Sequence, residues 1–99
     1  MSAENANDQS GLGGKNIPLP QVTFSTFVLS IASTALVHLG EVPEPESGKI
    51  QEDLLAAKHN IDLLAMLKEK TNNNLDDDEN RLLDDVLYEL RMKYVIKSK

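Results

Sequence analysis

The chain contains no cysteine and no tryptophan, and only 4% of its 99 residues are aromatic. The absence of cysteine excludes disulfides, thiolate catalysis, iron–sulfur clusters and every zinc site built on thiolates. It also suits a reducing compartment. A chain of this length buries only about 60 to 65% of the surface that its unfolded form exposes. We therefore expect one small domain rather than a large enzyme with a deep cleft.

Positive charge is also scarce. The sequence has 10 Lys and Arg residues against 16 Asp and Glu residues, which gives a formal net charge of -6. Proteins that bind nucleic acids gain most of their non-specific affinity by neutralising phosphates with basic side chains. The charge balance therefore argues against nucleic acid as the main partner.

The N-terminal segment has few large apolar side chains. Residues 1–16 lack the basic and apolar regions of a signal peptide, and they are rich in Asn, Ser and Gly. We expect residues 1–16 to form a disordered tail, because they cannot bury enough surface to offset their ordering entropy. Pro18 and Pro20 then make a stiff entry to a single helical domain at 17–96. Residues 97–99 form a short basic tail.

The segment 23–39 is the first with helical periodicity. Its apolar residues recur on one face: Phe24, Phe27, Val28, Ile31, Ala35 and Leu39. The opposite face carries Ser and Thr side chains, which are small enough for another helix to approach closely. The segment approaches the length of a transmembrane helix, but six hydroxyl residues dilute its hydrophobicity and it has no flanking anchors. We expect no stable insertion into a membrane.

Two further helices are predicted, which makes the fold class all-α with three helices at about 23–39, 50–70 and 76–95. Gly40 is a typical residue after a helix end, and a proline-containing connector follows it. Ser47 is the expected cap of the second helix. Asp76 and Glu79 have the spacing of a capping box at the start of the third helix.

The three predicted helices carry more large apolar residues than a single copy needs. From Val22 to Ile96 there are 29 Val, Leu, Ile, Met, Phe and Tyr residues, against roughly 15 to 20 that a compact bundle of this size covers. The second and third helices each show a second apolar stripe: Leu55, Leu63 and Met66, and Tyr88, Met92 and Val95. Helices with two stripes are normally buried on both sides. We predict a homo-oligomer, most simply a two-fold helical-bundle dimer with these six residues in the interface. The alternative is that the surplus residues lie singly on the surface, which is common.

Two histidines are the only candidates for a metal or ligand site. A pair of His and one carboxylate can bind a metal, and the nearest candidates are His38, Glu41, His59 and Asp62. Lone histidines on an apolar flank are more often core or interface residues. No pattern supports a nucleophile beside a base, a calcium loop or a phosphate loop, so we assign no catalytic residue and no cofactor.

Several short stretches together resemble a bacterial family known as domain of unknown function 1844. The resemblance spans about residues 19–94 and is carried by Pro18-Leu19-Pro20, Val22-Thr23-Phe24-Ser25, Ala35-Leu36-Val37-His38-Leu39-Gly40-Glu41, Ala57-Lys58-His59-Asn60-Ile61-Asp62, Met66-Leu67-Lys68-Glu69-Lys70-Thr71 and Leu87-Tyr88-Glu89-Leu90-Arg91. The resemblance implies a small bacterial, cytoplasmic, helical protein and no particular chemistry. Asn73 stands where the resemblance implies a glycine, so we expect a different turn there.

These observations lead to one functional hypothesis and one alternative. The first is a non-enzymatic module for oligomerisation or protein interaction, whose partner is a second copy or another protein. The alternative is a small metal- or ligand-binding protein that uses His38 and His59.

Overall fold

The computed structural model describes Leu19 and residues 21–99, and within that part of the chain it contains three helices and no strand. The helices are α1 (Phe24–His38), α2 (Leu54–Lys70) and α3 (Asp77–Lys97). The predicted all-α, three-helix fold class is confirmed. The predicted tail at 1–16 lies outside the described residues. Each helix packs against both of the others, so the three enclose one core.

Helix α1 begins and ends at residues suited to those positions. Thr23 and Thr26 form a reciprocal capping box, in which the Thr26 amide donates to Thr23 Oγ1 at 3.0 Å and the Thr23 amide donates to Thr26 Oγ1 at 3.1 Å. After the helix, Gly40 adopts a φ of 78°, a left-handed conformation that costs glycine little. The Gly40 amide then donates to the Val37 carbonyl at 3.0 Å.

Helix α2 begins four residues later than predicted, and its cap is Asp53 rather than Ser47. Asp53 Oδ1 accepts a hydrogen bond from the Ala56 amide at 3.1 Å. Ser47 instead belongs to a turn in the connector, where the Gly48 amide donates to the Glu44 carbonyl at 2.8 Å. In the same turn the Lys49 carbonyl, which would accept the first hydrogen bond of a helix starting at Ile50, accepts instead from the Glu44 amide at 2.8 Å. Ile50 consequently lies outside the helix and is exposed.

Helix α3 begins at the predicted capping box. The Glu79 amide donates to Asp76 Oδ1 at 2.8 Å, and the Asp76 amide donates to Glu79 Oε1 at 3.0 Å. In the turn before it, Asn73 has a φ of 70°. Asparagine tolerates this left-handed conformation better than most residues. Replacement of glycine by Asn73 therefore does not by itself require a different turn.

The core is aliphatic and contains no buried polar or charged residue among those described. Its ten buried members come from all three helices and the end of α1: Val28, Ala32, Ala35, Leu39, Ala57, Ile61, Leu64, Leu83, Leu87 and Leu90. The two alanines of α1 leave room for close approach of its neighbours. The predicted Ser/Thr face of α1 does not serve this purpose, since Ser30, Ser33 and Thr34 are exposed. Phe27, expected on the inner face, is 51% exposed.

Candidate interaction surface

The outer face of α3 carries an uninterrupted row of exposed apolar side chains. Tyr88 is 66% exposed, Met92 45%, Val95 53% and Ile96 63%. Their spacing of four, three and one residues places them on one side of a helix with 3.6 residues per turn. Leu83, Leu87 and Leu90 occupy the opposite, buried side. We call Tyr88, Met92, Val95 and Ile96 the α3 stripe; with Arg91 they line one shallow groove.

The outer face of α2 is different because polar side chains divide it. Leu55 is 84% exposed and Met66 43% exposed, and about 16 Å of helix separates them. His59 and Asp62 lie between them and are exposed. Leu63, the third predicted interface residue on this helix, is less exposed than the other two and is half-buried within the chain. The apolar surface of α2 is therefore two separate side chains rather than a stripe.

The structure thus exposes five of the six residues predicted for an interface. The exception is Leu63, which is half-buried within the single chain. Sequence reasoning missed Ile96, which widens the α3 stripe in the turn that already contains Val95. The signal was present in the sequence, since Ile96 follows Met92 by four residues. That these residues form an interface stays a prediction.

A second apolar surface lies in the groove between α1 and α3. It has a volume of about 310 Å³ and is lined mainly by Leu29, Ala32, Leu36, Val86 and Leu90. Leu29 is 47% exposed at its edge. Sequence periodicity did not predict this groove, because it arises from the small side chains of α1 at the point where α3 crosses them.

Acidic side chains along the edges of the bundle form ion pairs with lysines. Lys68 forms an ion pair with Asp84 and so links α2 to α3. Lys97 Nζ lies 3.6 Å from Glu41 Oε2, and Lys93 Nζ lies 3.8 Å from Glu41 Oε1. These pairs tie the end of α1 to the end of α3. Exposed pairs of this kind stabilise a fold by only about 0.2 to 1 kcal/mol each.

The four residues of the metal-site hypothesis are not gathered into one cluster. Glu41 lies near lysines of α3, and Asp62 Oδ2 accepts a hydrogen bond from Lys58 Nζ at 3.0 Å. That hydrogen bond, followed by the attraction of the Asp62 carboxylate, raises the pKa of Lys58. His59 is exposed on α2. In the described part of the chain, no three His, Asp or Glu residues form a group that would hold a metal ion.

His38 has a structural role that the sequence did not indicate. It is the last residue of α1, and its backbone carbonyl accepts a hydrogen bond of 2.7 Å from the amide of Asp53. Asp53 is the cap of α2. The end of α1 and the start of α2 are therefore joined directly, across a connector of fifteen residues. The His38 side chain is half-buried beside Glu44 and Asp53 in an open, mixed-polarity depression.

Among the described residues, one buried side-chain polar atom lacks a hydrogen-bond partner. Asn60 Oδ1, on α2, makes no hydrogen bond to any described residue. A buried carbonyl oxygen without a partner costs about 1 to 3 kcal/mol relative to its hydrated state. It is a single atom without a cluster of titratable groups, so it does not form a site by itself.

The chain is a small all-helical protein. A family model described as domain of unknown function (DUF1844) matches residues 21–96, and the chain belongs to that family. The resemblance found in the sequence is confirmed. No curated protein and no solved structure matches the chain. None of the helices described between residues 21 and 99 combines the length and hydrophobicity needed to cross a membrane.

Proposed function

We propose that this protein is a non-enzymatic assembly module that associates with a second copy of itself through apolar residues on the outside of its bundle. The observation that carries the proposal is the exposure of the α3 stripe and of Leu55 and Met66 on α2. These side chains lie outside a core that is already complete in one chain.

Burial of these apolar side chains against a second copy has a lower free energy than their exposure to water. Burial of apolar surface stabilises a contact by about 25 cal/mol per Å². Tyr and Met are enriched in interfaces, since tyrosine offers rigid area with a polar tip and methionine adapts its shape.

The module acts in the cytoplasm, consistent with the lack of cysteine.

The test is the mass of the full chain in solution across a wide concentration range, for the wild type and for charge-insertion variants. We expect Met66→Asp and Met92→Asp together to abolish association, because a buried aspartate without a partner is strongly unfavourable. The matched control is Asn72→Asp together with Asn74→Asp, which adds two negative charges in an exposed turn. Its mass should follow that of the wild type. A wild type of single-chain mass at every concentration would refute the proposal.

A further inference from the structure

The groove between α1 and α3 shares no residue with the proposed self-association contact. Among the described residues, α1 and α3 alone line it, and no residue of α2 takes part. Ala32 and Leu90 are buried at its floor, whereas Leu36 and Val86 are only half-buried on its walls. The groove therefore presents apolar side chains that the bundle itself does not cover. We call it the α1–α3 groove.

The two helices that form the groove run in the same direction. Glu41, just after α1, lies near Lys97 at the end of α3, so the two helices end on the same side of the bundle. Helix α2 runs the opposite way, since Asp53 at its start is bonded to His38 at the end of α1. A helix lying in the groove antiparallel to α1 and α3 would complete an up-down-up-down four-helix bundle.

The dimensions of the groove suit a helix. Its lining runs from Leu29 to Leu36 on α1 and from Asp85 to Lys93 on α3, which is about 10 to 12 Å, or two turns, along each helix. Its volume of about 310 Å³ is at the lower limit for small-molecule pockets, and it is open along its length. Amphipathic helices dock in such grooves through apolar side chains about one turn apart.

Only one rim of the groove is charged. On the α3 rim, Asp85 and Glu89 are exposed and lie one turn apart. Lys93 follows after another turn, but its Nζ is shared between Glu41 and Glu89, at 3.8 Å from each carboxylate. Asp85 forms no ion pair with any described residue. The α1 rim carries Ser33 and no charge. The charged rim is therefore complementary to basic side chains spaced one turn apart.

We infer that the α1–α3 groove binds an amphipathic helix of another protein, which carries lysines or arginines along the flank that faces Asp85 and Glu89. The apolar side chains of that helix cover Leu36 and Val86, and the helix runs antiparallel to α1 and α3. The net charge of -6 favours a basic partner over a second copy in this groove, and it speeds their encounter. The α3 stripe stays outside this contact, so the two contacts can be tested separately.

The experiment measures fluorescence anisotropy of a labelled peptide titrated with the whole chain. The probe is a designed peptide of about 18 residues, long enough to form a helix, with leucines one turn apart on one face and lysines along one flank. A control peptide has the same composition, but its leucines are moved off that face. We expect the wild type to bind the probe at least about tenfold more tightly than the control peptide.

Two serines of α1 offer a matched pair of variants. Both are exposed, but Ser33 lines the groove and Ser30 does not. Ser33→Trp fills the groove and should weaken binding of the probe at least about tenfold, whereas Ser30→Trp should bind like the wild type. On α3, Asp85→Asn should weaken binding about two- to fivefold, and Asp78→Asn, outside the groove, should not. Circular dichroism checks that each variant is folded.

The inference is overturned if the wild type binds both peptides equally or binds neither. It is also overturned if Ser33→Trp binds the probe as tightly as Ser30→Trp, or if Asp85→Asn binds it as tightly as Asp78→Asn. The masses of the variants without peptide separate the occupants. A loss of self-association in Ser33→Trp alone would place a second copy in the groove and overturn the inference. Single-chain mass of the wild type, with the expected peptide binding, would refute the proposed self-association and support this inference.

Discussion

Single residues shape the connector between α1 and α2. Glu44 Oε1 accepts a hydrogen bond of 2.7 Å from the Ser47 amide, and the Glu44 amide donates to the Lys49 carbonyl at 2.8 Å. The hydrogen bond from the Ser47 backbone, with a smaller contribution from the Ser47 side chain, lowers the pKa of Glu44 below its usual 4.5. The charged carboxylate is therefore the form that holds this turn.

The sign of this effect predicts a pH dependence. Because the pKa of Glu44 is lowered by folding, the carboxylate stabilises the fold above pH 4.5, and this contribution is lost as the pH falls through the lowered folded value. An NMR titration of the Glu44 carboxyl carbon should show a midpoint below 4.5. Ser47→Ala keeps the backbone donor, so its midpoint should also stay below 4.5. A midpoint at or above 4.5 in the wild type would contradict the hydrogen bond.

Asn60 provides a second prediction at this scale, on stability. Replacing it by leucine removes a buried carbonyl oxygen that has no partner among the described residues. We expect Asn60→Leu to raise the free energy of unfolding by about 1 kcal/mol in a denaturant titration. Asn60→Asp keeps the shape but introduces a charge, and it should lower the free energy of unfolding by at least about 1 kcal/mol. A less stable leucine variant would show that the amide makes a favourable contact.

At the scale of elements, the helix ends show how far local sequence determines structure. Asp76 and Glu79 have a capping-box spacing, and the structure confirms their reciprocal hydrogen bonds. The start of α2 was not predictable in the same way, because Ser47 and Asp53 are both good capping residues. Asp53 has one contact that Ser47 lacks: its amide donates to the His38 carbonyl, and that contact joins residues distant in the sequence.

The cap of α3 can be tested by a pair of substitutions. Asp76→Ala removes the acceptor for the Glu79 amide and should lower the free energy of unfolding by about 1 kcal/mol. The control, Asp77→Ala, removes a first-turn charge that only interacts with the helix dipole, and it should cost about 0.3 to 0.5 kcal/mol. Thermal or denaturant unfolding measures both. Equal losses in the two variants would mean that charge, not capping, stabilises this end.

At the scale of the whole molecule, the sequence predicted the three helices and the existence of surplus apolar residues. It did not predict on which helix the exposed apolar residues form a continuous stripe. Leu55 and Met92 both lie on second stripes in a helical projection. They differ in their polar neighbours, such as His59 beside Leu55, and in the direction that each helix face takes in the bundle. The groove beside Leu29 likewise depends on how α3 crosses α1.

The central claim, self-association, is tested most directly by sedimentation equilibrium of the wild-type chain from low micromolar to near millimolar concentration. A chain of 10.9 kDa should approach twice that mass as the concentration rises. A contact of about one helix face is at the small end of stable interfaces, so we expect a mass that depends on concentration. A mass of 10.9 kDa throughout the range would contradict the account.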